Sequence, residues 1–158
     1  MISYGEPSYI SFTAEFVGRE IRFSKLTTEE LARPSHAFIL CFRDYLTESC
    51  GDLLLVNQMF FGLFKRKVYG FLVFRMDFSK NAWVPVKNIG ERTIFLSKRM
   101  GMSCFAAENG LKRNSIYFTK TSSRFLYVFD LEDDTISKSL PCSTVSCHTL
   151  NHAWVMLS

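Results

Sequence analysis

The residues with the types and spacing for chemistry are few. Cys142-x4-Cys147-His148-x3-His152 gathers two thiols and two imidazoles, the side chains that ligate zinc. The gap between the cysteines is wider than the common C-x2-C knuckle, and all four fall in one short tail, so core or tail residues without a metal are the expectation. Nucleophilic catalysis needs a Cys or Ser beside a His held by an acid. The chain has three histidines, His36, His148 and His152, and lacks G-x-S-x-G; Cys50 and Cys104 are the thiols considered. The acidic run Glu132-Asp133-Asp134 could hold a cation, but directly after a strand it reads as a hairpin turn, where Asp bonds its own backbone. Neither a P-loop nor a dinucleotide glycine loop occurs. No catalytic residue, metal ligand or cofactor is therefore expected. The one candidate binding cluster is Lys65-Arg66-Lys67, which could meet an acidic partner or a phosphate backbone. A lone basic triplet without interleaved aromatics is a weak nucleic-acid signal, so a solvated loop or a protein contact is expected instead.

Composition sets the class. At 158 residues the chain suits one domain, and 47% hydrophobic residues with sixteen Phe exclude a disordered or fibrous protein. Apolar stretches fall short of the roughly 20 residues of a membrane span. The start, MISYGEPSYISF, lacks the basic region of a leader peptide. Five scattered cysteines and the lack of any Asn-x-Ser/Thr site suit the cytosol or nucleus, with mitochondria left open. The net charge is +4.

The scaffold is built from strands. In residues 71–97, Leu72, Phe74, Met76 and Phe78 are apolar, while Phe71 and Val73 give way to Arg75 and Asp77. This is a period-2 strand buried on both faces at its start and on one at its end. Ser79–Asn81 turns, Trp83–Val86 returns, Ile89-Gly90 breaks, and Arg92–Ser97 completes an expected three-strand meander. Elsewhere, residues 9–24 read as a hairpin hinged at Val17-Gly18, and Thr27–Glu30 as a capped turn in a linker. Ala37–Leu46 fits either helix or strand. Asp52–Val56 is a strand and Asn57–Lys67 a long connection whose Phe60, Phe61 and Phe64 fold back onto the body. Further strands are expected at Met102–Ala107, Asn114–Thr119, Phe125–Glu132 and Thr135–Lys138, with a turn at Asn109-Gly110. Trp83, Tyr117 and Tyr127 are expected to fill packing between sheets rather than line a binding face.

A repeat runs through this pattern. A shift of 55 residues lays Phe71–Asp77 on Leu126–Glu132, apolar on apolar and charged on charged. Each copy has a similar strand before it and a short one after it. The period is that of a kelch-like propeller blade of four strands, although a meander sandwich gives similar spacing.

The same residues carry a family resemblance. Asp44–Val56, DYLTESCGDLLLV, resembles the YLVES-GELLLV signature of the plant KIB-type β-propeller family, a group of plant F-box and F-box-like proteins long described as a domain of unknown function. Phe71–Ser97 resembles that family's F-VFKLD----WV-V-SLGDRALFL block, Asn114–Thr119 its NSIYFT, and Val128–Glu132 its VFDLE. Ala153-Trp154-Val155 is a weaker match to its closing motif. The resemblance is best over 44–136 and implies an all-β fold, a partial kelch-like propeller of about three antiparallel blades occupying 1–158. No amphipathic helical triplet precedes residue 44, so the F-box that normally opens such proteins, and that docks on a Skp-type adaptor, is expected to be absent. The resemblance implies a non-enzymatic protein-interaction module, similar to the substrate-binding half of ubiquitin-ligase receptors. Its partners would be ligase substrates or a full-length relative with which it dimerises, not nucleic acid or membrane. The alternatives are a propeller that binds sugar or another small ligand, or acts on it, and a degenerate family member. Three connections are candidate gripping loops: Asn57–Tyr69 with Lys65, Arg66 and Lys67, Ser97–Met102, and Lys120–Arg124.

Overall fold

The computed structural model describes residues 11–17, 20–26, 40–61, 67–97, 100–120, 123 and 125–141. Among these, all regular structure is strand except one turn of 3-10 helix at Ala107–Asn109. The strands are β1 (Ser11–Val17), β2 (Glu20–Leu26), β3 (Leu40–Ser49), β4 (Asp52–Phe61), β5 (Lys67–Asp77), β6 (Ala82–Val86), β7 (Arg92–Leu96), β8 (Gly101–Phe105), β9 (Ser115–Thr119), β10 (Phe125–Asp130) and β11 (Thr135–Pro141). They form a β1-β2 hairpin, a four-stranded sheet β3-β4-β5-β6, and a five-stranded sheet β11-β10-β9-β7-β8. This is the all-β arrangement of a partial propeller.

The first large sheet is a blade in the expected sense, four sequential antiparallel strands. The 55-residue repeat is real in three dimensions. β5 and β10 are each the middle strand of an antiparallel meander, β4-β5-β6 in one sheet and β9-β10-β11 in the other. The second sheet departs from the blade pattern at its inner side, where β7 runs parallel to β9 and β8 is added beyond it.

Several expectations are corrected. The run 71–97 is not one meander: β5 pairs with β6, but β7 belongs to the other sheet. The break at Ile89-Gly90 is the crossing between sheets. Ile89 is buried there, and Gly90 sits at φ 71°, a conformation open to glycine at no steric cost. Residues 57–61 are not a connection, because β4 continues through them opposite Leu40–Asp44 of β3. Phe60 is indeed buried, but as a strand residue, and Phe61 is half exposed. Of the ambiguous stretch Ala37–Leu46, the part from Leu40 is strand, and that strand runs on to Ser49. β8 ends at Phe105, where the 3-10 turn takes over, and β10 ends at Asp130. The early hairpin is present with bounds 11–26. Residues 27–39 and 142–158 lie outside the described residues, and with them the expected linker, the zinc-like cluster Cys142, Cys147, His148 and His152, His36, and Ala153–Val155.

The core lies between the two large sheets. Tyr45, Leu54, Val56, Phe71 and Val73 of the first meet Ile94, Leu96, Ile116, Phe118, Phe129 and Leu131 of the second. Phe71 is central: its ring stands edge-on to Phe118 at 4.9 Å and tilted to Phe129 at 5.1 Å, geometries that aromatic quadrupoles favour. Alternation accounts for this, since every second residue of β5, β9 and β10 must point into the same gap. At the inner side β8 lies along β3, with the Ser49 and Ser103 hydroxyls 2.7 Å apart and Gly101 close to Thr47. A Cβ on Gly101 would sit 3.3 Å from Thr47 Cβ, so the glycine permits this approach.

Candidate interaction surface

Strand direction sorts every connection to one of two ends. Arg92, at the head of β7, donates to the Ser49 carbonyl at 2.7 Å and reaches Asp52 Oδ2 at 3.3 Å, which places the β3–β4 turn and the head of β7 at one end. The turns at 77–82 and 131–134 and the 106–114 connection share it, since β5 and β6, β10 and β11, and β8 and β9 meet there. This is the turn end. The links β4–β5, β7–β8 and β9–β10 open at the opposite, loop end, because Phe61 faces Lys67, Leu96 faces Gly101, and Thr119 faces Leu126.

The turn end is stitched by polar side chains. Arg92 also donates Nε to the Ile89 carbonyl at 2.8 Å, so one guanidinium fixes the crossing, the β3–β4 turn and β7 together. Asn114 sits at φ 50°, a left-handed position that Asn tolerates. Its Oδ1 accepts the buried Ile89 N–H at 2.9 Å, its N–H donates to the Arg92 carbonyl, and its carbonyl accepts the Leu131 N–H. Thr93 and Ser115, both fully buried, bond one another across β7 and β9. Glu132-Asp133-Asp134 is the β10–β11 turn, as expected, with Asp134 at φ 52°. Asp130 Oδ1 accepts the N–H groups of Glu132 and Asp133, and Oδ2 pairs with Lys112.

A shallow polar cleft of about 260 Å3 opens among these residues, lined in part by Asn88, Glu91, Lys112, Arg113, Asp130 and Glu132. Its cations are already engaged: Lys112 by Asp130, and Arg113 by Glu91 at 2.5 Å. The Lys112 ammonium holds the Asp130 carboxyl below its ordinary pKa, and Asp130 raises that of Lys112. Burial pushes the Cys104 thiol up, and Glu108 adds to the shift, so this thiol is poorly suited to attack. Burial likewise raises the Tyr45 phenol, whose hydroxyl donates to Gln58. No group of three or more metal-ligating side chains occurs among the described residues. What this end does chemically is hold the sheets together.

The loop end carries exposed apolar side chains, as the turn end does at Phe78 and Phe105. Phe61, Tyr69 and Met100 are 49%, 63% and 64% exposed. Lys67 is exposed at the head of β5, while Lys65 and Arg66 lie outside the described residues. Lys120 holds its ammonium 3.9 Å from the Tyr127 ring centroid, and Lys138 is 4.7 Å from that of Phe125. Tyr127 is half buried, stacks on Phe118 and bonds Ser123, whereas Tyr117 is buried against Phe95 and accepts the Lys112 N–H. Tyr117 is thus packing, as expected, and Tyr127 is packing with one face given to Lys120. Sequence reasoning named the three loops without knowing that they share an end. It did not single out Arg92 or Asn114, which lie inside the family blocks but gain their roles only from partners far along the chain, Ser49 and Ile89.

A family model described as the KIB1-4 beta-propeller matches residues 3–143. The chain belongs to the KIB1-4 β-propeller family. Two proteins of Arabidopsis thaliana named as F-box proteins are similar to it. One is 30% identical over 112 residues and the other 32% over 114, each match covering 68% of this chain and 31% of the relative. A third F-box protein of that plant is 33% identical over 82 residues, 46% of this chain and 24% of its own length. The chain therefore spans about a third of the first two relatives it matches. No solved structure matches it. The two stitched sheets are accordingly read as neighbouring parts of a KIB1-4 propeller.

Proposed function

We propose that this KIB1-4 propeller segment grips protein partners through its loop end, as the substrate-holding part of a cullin-based ubiquitin ligase, and acts by binding rather than by chemistry. The observation that carries the reading is topological. The three connections at 62–66, 97–100 and 120–124 issue from one end of two sheets that share a core, while the opposite end is tied up in its own hydrogen bonds. Loops held side by side on a rigid scaffold are where binding specificity is normally built. The similarity to F-box proteins supports the ligase assignment.

The test places a photo-crosslinking residue at Tyr69, beside the loop end, or at Phe78 in the 77–82 turn, which is equally exposed at 60%. In plant cells, the Tyr69 probe should capture specific proteins that accumulate when cullin activation is blocked. Equal capture by the Phe78 probe would refute the assignment of the gripping face. Captured proteins whose levels ignore cullin activity would remove the ligase role and leave the binding role.

A further inference from the structure

One serine has a setting unlike the others. Ser123 is half-buried between β9 and β10, its N–H donating to the Lys120 carbonyl at 3.1 Å. Its hydroxyl lies 3.0 Å from the Tyr127 hydroxyl and accepts the Phe125 N–H at 3.3 Å. The Lys120 ammonium sits 3.9 Å from the centroid of that Tyr127 ring, and Lys138 is the residue directly opposite Tyr127 on β11. A cation, a phenol and a backbone donor are thus gathered about one serine, with a second cation on the neighbouring strand. No Asp or Glu occurs in 115–129 or 135–141, and among the described residues neither lysine meets a carboxylate. Other serines differ. Ser79 bonds the Asp77 carboxylate at 2.6 Å, Ser49, Ser97 and Ser115 are buried, and Ser137 is held in the β10–β11 ladder.

We infer that Ser123 is a phosphorylation site whose phosphate is received by Lys120, the Tyr127 hydroxyl and the Phe125 N–H. The donor is a nucleoside triphosphate held by a protein kinase. Ser123 Oγ attacks the γ-phosphorus, and the new O–P bond forms as the bond to the β,γ-bridging oxygen breaks. The nucleoside diphosphate leaves, and the hydroxyl proton passes to the kinase's base. The position suits an acceptor. Ser123 lies outside the strand ladders, so a kinase draws it out by breaking a turn bond to Lys120 rather than a sheet. Lysine three places before it supplies the kind of charge pattern that kinase grooves read. The product suits its surroundings too. A phosphoserine brings about −1.5 to −2 charge and three strong acceptor oxygens, which cations and N–H groups stabilise and neighbouring carboxylates repel. Here Lys120 has donors unspent on any acid, and its ring contact already brings it to the Tyr127 phenol that Ser123 meets. The inference stands whether or not the loop end grips a partner.

Two measurements on the full chain test this. In the first, chain shown by circular dichroism to be folded is incubated with plant extract and ATP, digested, and mapped by mass spectrometry. Phosphate is expected on Ser123 and should be lost in Ser123→Ala. Folded chain that acquires no phosphate at Ser123 would overturn the inference. The second measurement uses chain in which residue 123 is incorporated as phosphoserine, titrated by phosphorus NMR. The second pKa of an exposed phosphoserine is about 6, and the Lys120 ammonium should lower it by about 0.5 or more. Lys120→Gln should return it to the value of a short phosphoserine peptide, while Lys80→Gln at the turn end should leave it lowered. A value equal to the peptide's in the parent chain, or one indifferent to Lys120→Gln, would overturn the receiving site and the inference with it.

Discussion

Replacing Asn114 tests how the two sheets are joined. Its Oδ1 is the acceptor for the Ile89 N–H, in a crossing where Ile89 is 1% exposed, so truncation strands a buried donor. A donor left unpaired in that way costs about 1–3 kcal/mol. Asn114 also holds φ 50°, which costs an ordinary L-residue about 1–2 kcal/mol and glycine nothing. Asn114→Ala carries both penalties, for a total of about 2–5 kcal/mol. Asn114→Gly carries the lost bond and a few tenths for added freedom of the unfolded chain, about 1–3 kcal/mol. Asn114→Asp keeps an acceptor in place and should stay within about 1 kcal/mol of the parent. Urea unfolding followed by tryptophan fluorescence and circular dichroism measures all three, with an unchanged slope required for comparison. The expected order of loss is Ala, then Gly, then Asp. Glycine as damaging as alanine would show that the backbone angle contributes nothing. Aspartate as damaging as alanine would show that the Ile89 bond does not hold the crossing.

Two further predictions concern turns. Cys50 and Gly51 form the two-residue β3–β4 turn with φ of 53° and 83°, a geometry that favours Asn-Gly over Cys-Gly. Cys50→Asn should therefore stabilise the protein by about 0.5–1 kcal/mol in urea unfolding, and a loss of stability would refute the turn assignment. Asp130 has its folded pKa depressed, first by Lys112 and then by the turn N–H groups. Its contribution is present above the unfolded value, near 4, and is lost as pH falls through the folded value. Asp77, held low chiefly by the Ser79 hydroxyl, changes in the same direction. Stability should decline below about pH 4, and Asp130→Asn should flatten that decline more than Asp77→Asn, because the Asp130 side chain is only 10% exposed. Identical profiles for the two variants would contradict the pairing with Lys112.

The sequence determined the class of fold and most strands, because period-2 alternation and turn residues are local signals. The repeat relating Phe71–Asp77 to Leu126–Glu132 was legible for the same reason: both segments are middle strands and meet the same burial on each face. The YLTES-CGDLLLV stretch announced the family by residue identity alone. Partner choice was not legible. Nothing near Ile89-Gly90 distinguishes a turn within a sheet from a crossing between sheets. The difference lies in where Arg92 and Asn114 find their partners, at Ser49 and at Ile89. Residues 57–61 read as a connection because Asn57 and Gln58 are polar, yet both are buried, with Asn57 bonded to Asp44 and Gln58 to Tyr45 across the strands. Charge followed the same rule. Lys67 looked like part of an isolated basic triplet, and only strand direction places it, at the head of β5, at the same end as Lys120. Local patterns record which face of a strand is buried, whereas the end at which a connection opens depends on the parity of the strands before it, which only the assembled sheets reveal.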